Sequence, residues 1–166
     1  MTKTYKIALL EDNTRQLEKL AGFIGKIPNA ELVLKSESSD DFFEQLKTAS
    51  PDILVADLDL GNDSMTGMEV AIELKIPVFF ASINTAEYIE DLEHLKREQE
   101  ICVDHITKPF TEEQFAKSFM RFLKEVELFS NLKIVHLDFN KKKRNKIFID
   151  DIVYLCADKL RGSESN

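Results

Sequence analysis

Apolar and polar positions come in alternating blocks over the first 130 residues. Short apolar runs recur at Tyr5–Leu10, Ala30–Lys35, Ile53–Ala56, Val78–Ala81 and Ile101–Thr107. They are rich in Val, Ile, Phe or Leu and bounded by polar or turn residues, which predicts buried strands. Between them the apolar spacing becomes that of a helix. Leu17, Leu20, Ile24 and Ile27 fall on one face, with Thr14 as the predicted N-cap. Phe42, Phe43, Leu46 and Ala49 do the same after the start signal Ser38-Ser39-Asp40. Pro51, Pro77 and Pro109 each adjoin an apolar run, where the fixed φ and missing N–H stop one element and set the turn to the next. Strands that alternate with helices and are buried on both faces imply a parallel sheet covered on each side. The predicted class is α/β, a doubly wound five-stranded parallel sheet.

The last helix of this series is predicted over roughly residues 111–129. Its stripe Phe115, Phe119, Phe122, Val126 and Phe129 repeats at heptad spacing, with Leu123 beside it. Most of that stripe is expected to face the core, and its far end to face a partner. The pattern then changes. Residues 132–139, 146–149 and 152–156 read as strands around the basic turn 140–145, which predicts a first domain over 1–130 and a short β-rich extension over 131–166.

Composition narrows the function. Hydrophobic residues make up 43% of the 166, enough for a core, so a disordered linker is excluded. No apolar stretch approaches the ~20 residues of a membrane helix, and no signal-peptide h-region follows the N-terminus. The chain therefore reads as soluble and cytoplasmic. Cys102 and Cys156 form neither a disulfide framework nor a CxxC metal motif. Residues 1–131 carry 14 Lys/Arg against 25 Asp/Glu, whereas residues 132–166 carry 8 against 5. So acidic a body repels a phosphate backbone and is not expected to grip nucleic acid by itself.

In a doubly wound sheet, ligands bind beyond the carboxyl ends of the strands. The first predicted strand ends in Glu11-Asp12, the third in Asp57, the fourth in Ser82 and the fifth in Lys108-Pro109. Each alone is more often a turn or cap residue than a catalyst. Together they bring three carboxylates, a hydroxyl and an ammonium to one edge. Crowded carboxylates cannot all stay ionised cheaply, and a hard divalent cation such as Mg²⁺ relieves them. The hydroxyl and the lysine add donors for the oxygens of a transferring phosphoryl group. One carboxylate is then a nucleophile, or all of them are metal ligands.

With these residues in place, the chain resembles a CheY-like receiver domain of bacterial two-component response regulators. The matching segments are Lys6–Asn13 (KIALLEDN), Pro51–Asp57 (PDILVAD), Pro77–Ser82 (PVFFAS) and His105–Phe110 (HITKPF), and the resemblance covers roughly residues 4–127. It implies the flavodoxin-like strand order 2-1-3-4-5, for which a receiver is a standard example. It makes Asp57 the phosphoacceptor, Asp12 a direct Mg²⁺ ligand, Glu11 a ligand through water, and the Asp59 main-chain carbonyl the remaining protein ligand. It makes Lys108 the partner of the phosphoryl group and Ser82 the switch hydroxyl, and it places His105 at the switch aromatic. His105 replaces the usual Tyr or Phe, Gly61 replaces a common Pro, the loop to Gly67 is longer than usual, and Ile83 stands where a small residue is common.

The resemblance further implies a sensor histidine kinase as phosphodonor, transcription as output, and a homodimer through strand 5 and the last helix, using the edge Phe119/Phe122/Val126/Phe129. The extension, with residues 146–155 (KIFIDDIVYL), looks like the opening of a LytTR-type DNA-binding domain. Such a module needs ~100 residues, so DNA binding is expected only through a complete output domain. Two other readings stand beside this one. Asp57-Leu-Asp59 fits the DxD nucleophile motif of haloacid-dehalogenase-like phosphatases, although Leu60-Gly61 breaks its usual continuation and a full βαβα unit with its own Glu-Asp pair precedes it. The chain also fits a receiver-like interaction module that takes no phosphate.

Overall fold

The computed structural model describes residues 3–138. Five strands, β1 (Tyr5–Leu10), β2 (Ala30–Ser36), β3 (Ile53–Ala56), β4 (Val78–Ser82) and β5 (Val103–Thr107), form one parallel sheet in the order β2-β1-β3-β4-β5. The connecting helices are α1 (Thr14–Ile24), α2 (Ser39–Leu46), α3 (Gly67–Leu74) and α4 (Ile89–Glu98), with a 3-10 turn at Thr85–Tyr88 and a final helix α5 (Glu112–Asp138). The expected doubly wound sheet is therefore what the chain forms, and residues 1–126 make one compact unit.

Side chains alternate across each strand, so neighbouring residues serve opposite faces. Ile7, Leu9, Ile53, Val55, Phe79 and Ala81 pack with Leu17, Leu20 and Ile24 of α1 and the buried stripe of α5. Ala8, Leu10, Leu54, Ala56, Val78 and Phe80 pack with Phe42 of α2, Val70 of α3, and Leu92 and Leu95 of α4. The α1/α5 face is the aromatic one. The Phe79 ring meets those of Phe119 and Phe122 at 5.3 and 5.5 Å between centroids, and that of Phe115 edge-on at 5.9 Å. Burying each such ring is worth ~1.5–3 kcal/mol.

Four expectations change. Asn13, not Thr14, caps α1, because its extended backbone lets Oδ1 accept from the Gln16 N–H at 3.1 Å. β5 begins at Val103, not Ile101; Glu100 just before that run takes φ +53°, which breaks the extended path. The predicted strand over 132–139 is instead helical to Asp138. No Gly or Pro interrupts the chain between Thr111 and Asp138, and extending a formed helix costs far less than nucleating a new element. Most of the expected dimer edge is also spent: Phe119, Phe122 and Val126 lie in the core of their own chain, while Phe129 is half-buried. The strands expected over 146–149 and 152–156, the basic turn over 140–145 and the LytTR-like segment lie outside the described residues. Among the described residues, no helix is long and apolar enough to cross a membrane.

Candidate functional site: an acidic pocket at the carboxyl edge

Strand register builds the pocket. β1 pairs with β3 from Ile7↔Ile53 to Leu10↔Ala56, and the ladder runs one bond further, the Asp57 N–H donating to the Leu10 carbonyl at 3.0 Å. On the other side of β1 the Glu11 N–H donates to the Ser36 carbonyl at 3.1 Å. Glu11 and Asp57 therefore leave adjacent strands at the same level. β4 pairs with β5 as far as Ser82↔Thr107, and the Lys108 N–H donates to the Ser82 carbonyl at 2.9 Å. From there the Lys108 side chain reaches back across the edge, Nζ lying 2.6 Å from Glu11 Oε2 and 2.7 Å from Asp57 Oδ2.

Glu11 is 1% exposed and Asp57 7%, so two buried carboxylates share one ammonium. Burial raises the pKa of Glu11; the hydrogen bond from Lys108 opposes this only in part, and the Asp57 charge adds to the rise. Burial alone would lower the pKa of Lys108, but hydrogen bonds to Asp57 and Glu11 outweigh it and raise the value, which keeps the ammonium charged. Removing Lys108 would leave two buried carboxylates uncompensated.

The β3–α3 loop forms the rim. Asp57 Oδ1 accepts from the Asp59 N–H at 3.2 Å, and Asp59 Oδ1 accepts from the Gly61 N–H at 3.0 Å. Gly61 sits at φ +60°, a region that favours glycine, and a Cβ there would lie 2.9 Å from Asp12 Oδ2. At Gly67 a Cβ would fall 1.8 Å from the Asp57 carbonyl oxygen, so only glycine lets α3 start against the end of β3. Thr66 and Glu69 then close α3 with a reciprocal capping box.

This arrangement, a 2-1-3-4-5 sheet with acids after β1 and β3 and a lysine after β5, was compared with known proteins. No protein-family model matches the chain. It is 28% identical over 127 residues to the transcriptional regulatory protein NatR of Bacillus subtilis (strain 168), covering 72% of this chain and 50% of NatR. The chain thus spans about half the length of that curated relative. Among solved structures it superposes on the response regulatory domain of protein mrkE from Klebsiella pneumoniae with a TM-score of 0.60 at 18% identity, covering 74% of this chain and 98% of that one. The isolated REC domain of RcsB from Salmonella enterica serovar Typhimurium gives 0.60 at 15%, with 74% and 90% covered. The chain has a receiver fold.

Within that receiver fold the expected residues divide into two groups. Glu11, Asp57 and Lys108 meet. Asp12 and Asp59 stand exposed on the rim. Ser82 is buried at the end of β4, and among the described residues its hydroxyl bonds neither Asp57 nor Lys108. His105 is half-buried in β5, donates its N–H to Asp104 Oδ1, and lines a groove with Ile89, Leu92 and Glu93 of α4. Glu11, expected to act on a metal through water, has its carboxylate held by Lys108. Among the described residues no three Asp, Glu, His or Cys side chains form a ready-made metal cage. The donor set still suits Mg²⁺, which takes one or two carboxylates together with carbonyls and waters. Desolvation first, then the charges of Asp57 and Asp59, hold the pKa of Asp12 above the ordinary range, and a divalent cation relieves that crowding.

Sequence reasoning missed two contacts near the pocket. Thr85, buried in the 3-10 turn, hydrogen-bonds Thr107 at the end of β5. Ser39, fully buried at the start of α2, hydrogen-bonds Asp63 of the β3–α3 loop. Neither pair has a sequence signal, since the partners lie 22 and 24 residues apart.

Proposed function

We propose that this chain is the phosphoacceptor receiver of a two-component response regulator. The observation that carries the reading is Lys108 bridging Glu11 and Asp57 in a buried pocket whose rim holds Asp12 and Asp59. Asp57 is the nucleophile. One of its oxygens attacks the phosphorus of a phosphorylated histidine on a sensor kinase, the P–N bond breaks, and the imidazole leaves with the bonding electron pair. Lys108 then exchanges Glu11 for an oxygen of the transferred group and balances its charge. Asp12, Asp57 and the Asp59 main-chain carbonyl would hold Mg²⁺, and Glu11, once released by Lys108, would act on it through water. The ion supplies Lewis-acid stabilisation of the phosphoryl oxygens.

Ser82 donates its hydroxyl to the bound phosphoryl group, and His105, two residues along β5 from Thr107, moves with it. The surface of β5 and its flanking helices is then read by an output that controls transcription, as the name of the NatR relative suggests. DNA is contacted by a complete output domain rather than by this acidic body, and the protein works in the cytoplasm. The receiver makes and loses its own phosphoryl group without turning over other substrates.

Incubation with acetyl phosphate and Mg²⁺, followed by intact-mass spectrometry, tests the reading. One phosphoryl adduct is expected on the wild-type chain and none on Asp57→Asn, whose amide cannot form the acyl phosphate. Equal labelling of both would move the acceptor elsewhere. Continuous hydrolysis of many phosphoesters per chain would favour a phosphatase instead.

A further inference from the structure

The β3–α3 loop lies between the acceptor and α3, and three contacts hold it. Leu58 and Leu60 are buried in the core of the α2/α3/α4 face. Between and beyond them the chain turns, the Asp63 N–H donating to the Leu60 carbonyl at 3.1 Å around left-handed Gly61. The far end of the turn is then tied to another element altogether. Asp63 Oδ2 accepts from the Ser39 N–H, and Oδ1 accepts from the Ser39 hydroxyl, both at 2.6 Å. Oδ1 also accepts from the Ser64 N–H at 2.6 Å. Both oxygens are thus engaged by a residue with no exposed surface, which fixes the orientation of the carboxylate as well as its position.

Ser38 serves one first-turn N–H of α2, and this contact serves another, that of Ser39. Ser38 already caps that helix, its Oγ accepting from the Asp41 N–H, and Asp40 and Asp41 already place negative charge in its first turn. Asp63 adds to that cap, and it does so from another element of the fold. Asp63 remains ionised: burial pushes its pKa up, but the hydrogen bonds from Ser39 and Ser64 outweigh this and hold it below the ordinary range. Beyond the cap, the contact supplies a fixed end for the loop whose other end carries Asp59.

We propose that Asp63 is a positioning residue, which through its grip on Ser39 holds the β3–α3 turn where the Asp59 carbonyl can serve a Mg²⁺ ion beside Asp57. This rests on the phosphoacceptor reading above for the identity of the ion. Groups that orient ligands from behind usually cost about 10–100-fold in metal affinity when removed. Asp63 acts through backbone rather than on a ligand directly, so Asp63→Ala should weaken Mg²⁺ binding by about 10-fold, the low end of that range. Ser39→Ala keeps the N–H bond and loses only the hydroxyl, so it should fall between Asp63→Ala and the wild type.

Isothermal titration calorimetry with MgCl₂ on the full chain gives the affinity without any phosphodonor, and thermal unfolding of each variant without Mg²⁺ is the control. The expected result is a graded loss of affinity, Asp63→Ala beyond Ser39→Ala, with both variants still folding cooperatively at the titration temperature. If Asp63→Ala is unfolded there, Ser39→Ala and Asp63→Asn carry the comparison. Unchanged Mg²⁺ affinity in folded variants, even with a lowered melting temperature, reduces Asp63 to a structural tie and overturns the inference. No Mg²⁺ binding by the wild type overturns it together with the proposed site. Graded Mg²⁺ affinity in a chain that accetyl phosphate never labels would leave the positioning role standing and remove the acceptor.

Discussion

The carboxyl edge of the sheet and the layer beneath α5 are both dry, yet they are built on opposite terms. At the edge, Glu11 and Asp57 lose water and share a single ammonium, with Asp12 and Asp59 crowding the rim. In the layer, Phe79 sits among Phe115, Phe119 and Phe122, whose contacts need no compensation. The first region has more carboxylates than its one ammonium can balance, and the second has no charge to balance. On the proposed reading the site is incomplete without a cation and a phosphoryl group, and its strain is offset by packing elsewhere. The comparison predicts that substitutions in the two regions separate function from stability.

Asp57→Asn should give the largest effect, complete loss of phosphoryl labelling with no loss of thermal stability; intact mass and a melting curve on one preparation decide both. Phe119→Ala should do the reverse. Emptying that position costs ~3–5 kcal/mol, read by urea denaturation, while the folded fraction still takes label at low temperature. Equal loss of labelling per folded molecule would show that the aromatic layer reaches the site.

Gly67→Ala belongs to both regions and should break the separation. Its methyl group collides with the backbone of Asp57, so destabilisation of ~1–3 kcal/mol and slower labelling should appear together. Asp12→Asn is expected to raise the melting temperature slightly at pH 7 in the absence of Mg²⁺. The sign follows from its raised pKa: the folded state prefers the protonated acid, so stability is full below the unfolded value of 3.8 and is lost as pH rises through the higher folded value. The two proteins should therefore converge in melting temperature at low pH.

The smallest effect belongs to Cys102. Burial first, then Glu125, pushes its thiol up to about 11. The neutral thiol's contribution to stability is complete below pH 9.0 and fades as pH rises through about 11. Alkylation by iodoacetamide at pH 8, followed by peptide mapping, should find the Cys102 peptide slow to react in the native chain and fast in urea.

Legibility in the sequence followed the range of the interaction. The limits of β1 and β3 match their apolar runs, because hydrophobic period and flanking turns are local. The N-cap of α1 fell one residue away, since Asn13 and Thr14 are both good caps and only the backbone conformation chooses between them. Glu11, Asp57 and Lys108 were legible as strand ends, which a doubly wound sheet must gather at one edge. That Lys108 holds Glu11 was not, because the reach of a lysine across β4 depends on the stagger between β3, β4 and β5.

Binary pattern and the spacing of acids after apolar runs thus determined the class of fold, the limits of β1 and β3 and which residues stand at the carboxyl edge. Those are properties of a few consecutive residues and their solvent preference. Tertiary structure decided which charges pair, that the α5 stripe from Phe115 to Val126 is spent within its own core, and that Asp63 is tied to α2. Each of these depends on distances between segments far apart in the chain, which are set only when both faces of the sheet are packed.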